Sequence, residues 1–148
     1  GTEDDVIGYI ETFKEKFFNL NMENVAFPRS VNGLKKYKDS ATVYKKGTPI
    51  HVKGSLIYNH MLRSKNLTRK YPTIKEGEKV KFTYLRDPNP AGDKVISVLN
   101  SLPKEFKLEK YIDYDTQFEK AFIEPLKGVL DVIGWDTERR SSLDNFFI

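Results

Sequence analysis

Two short segments on either side of a turn-rich stretch constrain the fold more than any other feature of this sequence. Residues 79–85 (KVKFTYL) alternate polar with apolar side chains, as a half-buried strand does, and residues 94–98 (KVISV) can pair with them. Residues 87–93, DPNPAGD, lie between them and are almost all turn formers. The sequence therefore predicts an antiparallel hairpin with a structured tip.

Three other segments have apolar residues at helical spacing. They predict a helix from about residue 3 to 20, a short amphipathic helix after Pro49 that lasts to about Lys65, and a helix through residues 118–133 that Pro125 either kinks or divides. The apolar positions that define them are Val6, Ile10, Phe13, Phe17 and Leu20; Val52, Leu56, Ile57 and Met61; and Phe118, Phe122, Leu126, Val129, Leu130 and Ile133. We expect an α+β fold, mostly helical, with a small antiparallel β hairpin or sheet.

Residues 21–50 interrupt the helical pattern with asparagines, glycines and prolines. We expect irregular basic structure there, and a candidate contact loop.

Length and composition exclude several classes of protein. The chain has 148 residues, which is enough for one compact domain of ordinary size. It has no cysteine and two histidines, so a disulfide framework, a thiolate zinc site and a three-histidine metal site are excluded. No segment approaches the roughly 20 apolar residues of a membrane-spanning helix. We therefore expect a soluble, cytoplasmic protein.

Asp113 and Asp115 are the one pair of carboxylates that resembles a catalytic metal site. They lead directly into the helix that contains Phe118, where aspartates are common as caps or first-turn acids. We favour the capping interpretation over a magnesium site. The glycines form no phosphate-binding loop, and no serine lies in a nucleophile elbow beside either histidine, so ATP binding and triad hydrolysis have no support.

Positive charge is concentrated in the middle of the chain. The net charge is only +4, but residues 29–86 contain fifteen Lys and Arg against three acids. Tyrosines are interleaved with these cations at positions 37, 44, 58 and 71, and ammonium groups and phenol hydroxyls both bind phosphate. Lysine-rich faces can also be simply solvated. The pattern indicates that one face of the protein binds a polyanion with little dependence on the sequence of that polyanion.

The C-terminal tail carries a short apolar motif. Leu143 precedes the aromatic pair Phe146 and Phe147 by three positions, so a single helical turn would gather all three on one side. Such a cluster either plugs an apolar pocket of a partner or folds back on its own domain.

Several stretches, in order and over nearly the whole chain, resemble the C-terminal thumb domain of family B replicative DNA polymerases of tailed bacteriophages. The matching stretches are 49–59 (PIHVKGSLIYN), 76–80 (EGEKV), 85–94 (LRDPNPAGDK), 113–126 with its DYD start, and 142–147 (SLDNFF). The resemblance implies a thumb over residues 1–135 and a clamp-binding tail over 136–148. It also implies that this chain is either an excised domain or the small product of a split polymerase gene.

The resemblance implies that the thumb grips primer–template duplex through its backbone. The residues it assigns to DNA binding are Lys53, His60, Arg63, Lys94 and Lys120. Glu124 stands where the family can carry a further lysine, which puts that contact in doubt. No catalytic residue is implied for this chain, because the catalytic carboxylates and their magnesium ions belong to the palm.

For the tail, the resemblance implies that Leu143, Phe146 and Phe147 bind the sliding clamp, although Arg140 replaces the glutamine of the broader clamp-binding motif. The other implied partners are the palm, fingers and exonuclease domains, in the cytoplasm of an infected bacterium. The alternative is a phage interaction module that acts through the tail only. A small nuclease built on Asp113 and Asp115 is a third hypothesis.

Overall fold

The computed structural model describes residues 2–132. About half of these residues are helical, and the strands form small antiparallel sheets, which confirms the predicted α+β fold. In chain order the elements are α1 (Thr2–Phe18), α2 (Met22–Val25), β1 (Phe27–Ser30), α3 (Leu34–Tyr37), β2 (Lys38–Asp39), β3 (Val43–Tyr44), α4 (Ile50–Ser64), β4 (Lys79–Tyr84), β5 (Val95–Val98), two 3₁₀ turns (Lys104–Phe106 and Glu109–Tyr111), α5 (Tyr114–Phe118), a π-helical turn (Glu119–Ile123) and α6 (Glu124–Val132).

The chain divides into two compact units. The first, here called the sheet unit, is Met22–Asp113. The second, the terminal unit, is formed by both ends of the chain, Gly1–Asn21 and Tyr114–Ile148, of which residues 2–21 and 114–132 are described.

The sheet unit is built on an antiparallel sheet of order β1-β4-β5. The predicted hairpin is confirmed: β4 pairs with β5 in a register that places Lys81 opposite Val98. The expectation of irregular structure over residues 21–50 is wrong in part, because β1 pairs with the other edge of β4 and places Phe27 opposite Phe82. Within the same stretch, β2 and β3 form a second, two-residue hairpin. These strands were missed because each is too short to show alternation.

Helix α4 covers β5, and a glycine allows the close approach. A Cβ atom on Gly54 would lie 2.8 Å from the backbone nitrogen of Ser97 and 2.4 Å from its Oγ. The predicted helix after Pro49 is confirmed as α4, and nine of its fifteen residues are buried.

We expect Gly54→Ala to lower the free energy of unfolding by about 1–3 kcal/mol, since the added methyl group meets backbone that cannot yield cheaply. Gly8→Ala is the matched control. Gly8 is also helical but has open space around its Cβ position, so this substitution should raise the free energy of unfolding by about 0.5–1 kcal/mol. Chemical denaturation followed by circular dichroism measures both. A Gly54→Ala variant as stable as the wild type would contradict the packing described here.

Asn59, also on α4, holds the loop that precedes β4. Its side-chain amide donates to the carbonyl of Ile74 at 2.9 Å, and its Oδ1 accepts from the Ile74 amide at 2.7 Å. Both residues are buried. The same loop carries Glu76, whose carboxylate accepts from the amide of Gly33 at 2.7 Å, so Asn59 anchors a segment that in turn holds the start of α3.

In the terminal unit, α1 confirms the predicted first helix, and its aromatic side chains pack on the helical run 114–132. The Phe13 ring lies 4.8 Å from Phe122 and 5.9 Å from Phe118. Phe118 is fully buried, whereas Phe13 remains 44% exposed within the described part of the chain. The run stays helical through Pro125, with the π-helical turn immediately before it. Proline lacks an amide donor, so the altered hydrogen-bond pattern beside it is expected.

Candidate nucleic-acid interface

The two units differ sharply in charge. The sheet unit contains nineteen Lys and Arg against nine acids, for a net charge of +10. The terminal unit contains six against twelve, for a net charge of −6. The modest net charge of the whole chain therefore conceals a strongly basic unit, which is the electrostatic footprint expected of a protein that binds a polyanion.

Three of the five predicted DNA-binding residues lie on α4: Lys53, His60 and Arg63. Lys53 and His60 are seven residues apart, so they lie nearly in line along the helix. His60 and Arg63 are three residues apart and are neighbours on the helix surface, so all three belong to one side. His60 and Arg63 are exposed and Lys53 is half-buried, although most residues between them are buried. The helix thus has a narrow basic edge that the rest of its unit leaves uncovered.

Shallow pockets flank His60 where this edge meets the β2–β3 hairpin. One, of about 170 Å³, is lined by His60 together with Tyr44 and Asp93. The other, of about 220 Å³, is lined by His60, Arg63 and Lys38. The structure therefore places His60 and Arg63 beside the same small hairpin.

Lys94 follows the tip of the β4–β5 hairpin and is exposed. Its ammonium lies 3.8 Å from a carboxylate oxygen of Asp87, and its amide donates to the side chain of Asp93 at 2.7 Å. Asn89 closes the tip by donating to the Asp93 carbonyl at 2.7 Å. A compact, internally bonded turn therefore presents Lys94.

Tyr44 contacts both Lys53 and Asp93, the residue that precedes Lys94. The Lys53 Nζ lies 4.8 Å from the centroid of the Tyr44 ring, and the Tyr44 hydroxyl donates a hydrogen bond to the Asp93 carboxylate. That hydrogen bond raises the pKa of Tyr44 to about 12, because it favours the protonated phenol, with burial adding to the effect. Sequence reasoning singled out Tyr44 as one of four interleaved tyrosines but did not identify Asp93 as its partner.

Some of the predicted basic stretch is engaged inside the molecule. Lys70 forms an ion pair with Glu105 at 2.9 Å, and the hydroxyl of Tyr71 donates to the same carboxylate at 2.8 Å. These two hydrogen bonds lower the pKa of Glu105 to about 2. Lys70 and Tyr71 are therefore held by an acid 34 or more residues away, which reduces their weight as phosphate contacts.

The ring of Phe82 on β4 is contacted by Arg29 on β1 and by His51 on α4. The Arg29 guanidinium is 5.7 Å from the Phe82 ring, and the His51 ring lies 6.5 Å from the same ring. Burial, together with the charge of Arg29, lowers the pKa of the His51 imidazole below its ordinary value. The sequence alone does not predict this arrangement, because it does not predict β1.

The fifth predicted DNA-binding residue, Lys120, belongs to the terminal unit. Lys120 lies in the π-helical turn of the terminal unit and is exposed, while Phe118 on the same run is buried. The predicted clamp-binding residues Leu143, Phe146 and Phe147, like the boundary between 135 and 136, lie outside the described residues.

Asp113 and Asp115 have other partners. The amide of Asp113 donates to the Tyr84 carbonyl at 2.9 Å, and the Asp115 carboxylate lies 3.8 Å from the Lys14 ammonium. Across residues 2–132, no group of three or more His, Asp or Glu side chains is arranged to hold a metal ion. No helix in that range is long and apolar enough to cross a membrane.

The sequence is similar to two curated phage proteins over most of its length. It is 32% identical over 149 aligned residues to the DNA-directed DNA polymerase of Enterobacteria phage T4, covering 98% of this chain and 16% of that protein. It is 35% identical over 136 residues to the DNA-directed DNA polymerase of Escherichia phage RB69, covering 88% of this chain and 14% of that protein. This chain is homologous to a segment of phage DNA polymerases. It spans about one-sixth of the length of these relatives, and no protein-family model matches it.

Proposed function

We propose that this chain is the thumb of a phage DNA-directed DNA polymerase and that it holds primer–template duplex through the sugar–phosphate backbone. The observation that carries the proposal is the homology, which extends over 98% of the chain. The concentration of positive charge in the sheet unit supports it, as does the position of Lys53, His60, Arg63 and Lys94 around two neighbouring hairpins.

The physical role of such a surface is to bind duplex without reading its sequence. Lysine and arginine that contact phosphates release condensed counterions, so the affinity falls as salt rises. A thumb that holds the product duplex slows its dissociation and lets the polymerase add more nucleotides before it leaves. We propose that this chain contributes binding, and that the palm of the complete enzyme contributes catalysis and its magnesium ions.

We further propose that residues 136–148 tether the polymerase to a sliding clamp through Leu143, Phe146 and Phe147, in the cytoplasm of an infected bacterium. The support is the spacing of these three residues. The other domains of the polymerase would be the remaining partners. The competing hypothesis is a protein-interaction module that uses this tail and has no role on DNA.

Deletion of residues 142–148 separates these two hypotheses. We expect the shortened chain to bind a labelled primer–template duplex with the affinity of the full chain, within about twofold, because the proposed phosphate contacts lie elsewhere. Binding to a phage sliding clamp, measured by surface plasmon resonance, should be lost. Asp144→Asn removes the charged side chain of the deleted segment but keeps Leu143, Phe146 and Phe147, so this control should retain clamp binding. A full chain that binds a clamp but no duplex would favour the interaction module.

A further inference from the structure

Lys53 is held in a way that the other predicted phosphate contacts on α4 are not. Its ammonium lies over the Tyr44 ring, 4.8 Å from the centroid, and the side chain is half-buried, whereas His60 and Arg63 are exposed. A free lysine side chain samples many rotamers, so fixing an unrestrained ammonium on a phosphate costs conformational entropy that offsets part of its binding energy. A lysine already restrained before binding loses less.

Two contacts hold Tyr44 itself in place. It ends the β2–β3 hairpin, where it pairs with Lys38. Its hydroxyl donates to the Asp93 carboxylate on the tip of the β4–β5 hairpin, 49 residues further along the chain. The other oxygen of that carboxylate accepts from the amide of Lys94 at 2.7 Å. One side chain thus connects the helix that carries Lys53 with the turn that presents Lys94.

We propose that Tyr44 is a positioning residue for duplex binding: its ring holds the Lys53 ammonium in place, and Asp93 holds the ring. The inference rests on the proposed function, because it assigns a role in that same interface. The raised pKa of Tyr44 agrees with it, since the phenol stays protonated and keeps donating to Asp93 throughout the neutral range. Tyr44 acts through Lys53 and makes no phosphate contact of its own.

A double-mutant cycle in the full chain tests this coupling. Lys53→Ala should weaken the binding of a labelled primer–template duplex by about tenfold at about 50 mM salt. This is the loss expected when one phosphate contact, and the release of its counterion, is removed. Tyr44→Leu should weaken it by about threefold, as expected for loss of an exposed cation–π contact. The variant with both changes should bind no worse than Lys53→Ala alone. Tyr44→Phe keeps the ring but loses the bond to Asp93, so its affinity should fall between wild type and Tyr44→Leu.

Tyr111→Leu is the matched control, because the Lys110 ammonium lies over its ring at 5.3 Å in the same unit. It should leave duplex affinity within about twofold of wild type. Nuclear magnetic resonance gives a second readout without DNA: ring currents should shift the Lys53 ε-methylene protons upfield, and Tyr44→Leu should abolish that shift.

The outcomes are distinguishable. If the wild type binds duplex and the effects of Tyr44→Leu and Lys53→Ala multiply, Tyr44 does not act through Lys53 and the inference is overturned. An absent ring-current shift in the wild type also overturns it. If the wild type binds no duplex even at low salt, the proposed function fails and the inference fails with it.

Discussion

Replacing Lys53, Lys94 and Lys120 together by alanine should weaken duplex binding by at least about a hundredfold at about 50 mM salt. Three phosphate contacts at roughly 0.9 counterions each are worth on the order of a thousandfold between 1 M and 50 mM salt. The loss should be the same for unrelated duplex sequences, because phosphates carry no sequence information. Fluorescence anisotropy of labelled duplex measures the affinity, and its salt dependence should become much shallower than that of the wild type.

A control with equal net charge separates specific contacts from a general loss of charge. Lys16, Lys104 and Lys107 are exposed and lie outside the proposed contact set, with one in the terminal unit and two in the sheet unit, as in the test variant. Their joint replacement by alanine should change affinity by much less, about threefold, through the long-range field alone. Equal losses in both triple variants would mean that binding depends on overall charge and that the assigned lysines have no special place.

Replacing Asn59 by leucine should lower the free energy of unfolding by about 3–4 kcal/mol. The side chain satisfies both the amide and the carbonyl of Ile74, and leucine, of similar size, would leave these two buried groups without a partner. Each unsatisfied buried group costs about 1–3 kcal/mol. Denaturant unfolding of the full chain gives the value.

Asn100→Leu is the control for the Asn59 prediction, because Asn100 is exposed and surface substitutions change stability by about 0.5 kcal/mol or less. A loss below about 1 kcal/mol for Asn59→Leu would show that water or a rearranged loop replaces these bonds. The role assigned to Asn59 in anchoring the segment before β4 would then be wrong.

The elements that could be predicted from sequence are those whose signal is local. The hairpin of residues 79–98 contains its own alternation and its own turn, and α1 and α4 contain enough apolar positions to define a period. Strand β1 has neither. Its residues, FPRS, include a proline and leave three of four side chains exposed, so the strand exists because the edge of β4 is available to pair with it.

In the candidate site, too, some features could be predicted from the sequence and others could not. Lys53, His60, Arg63 and Lys94 were assigned from a resemblance carried by the stretches around them. The contact between Tyr44 and Asp93 spans 49 residues, and that between Asn59 and Ile74 spans 15. No periodic pattern encodes either pair, because each depends on how distant segments of the sheet unit pack together. The close approach allowed by Gly54 is set by the same packing and is invisible in the sequence alone.

The proposed binding of duplex DNA through its backbone can be measured directly on this chain. The most direct measurement is a fluorescence-anisotropy titration of two labelled primer–template duplexes of unrelated sequence with the wild-type chain, over a series of salt concentrations. Binding through the backbone should give equal affinities for both duplexes at each salt concentration, and a plot of log K against log salt with a slope near −3, from three or four phosphate contacts. No binding at the lowest salt, or strong preference for one sequence, would contradict it.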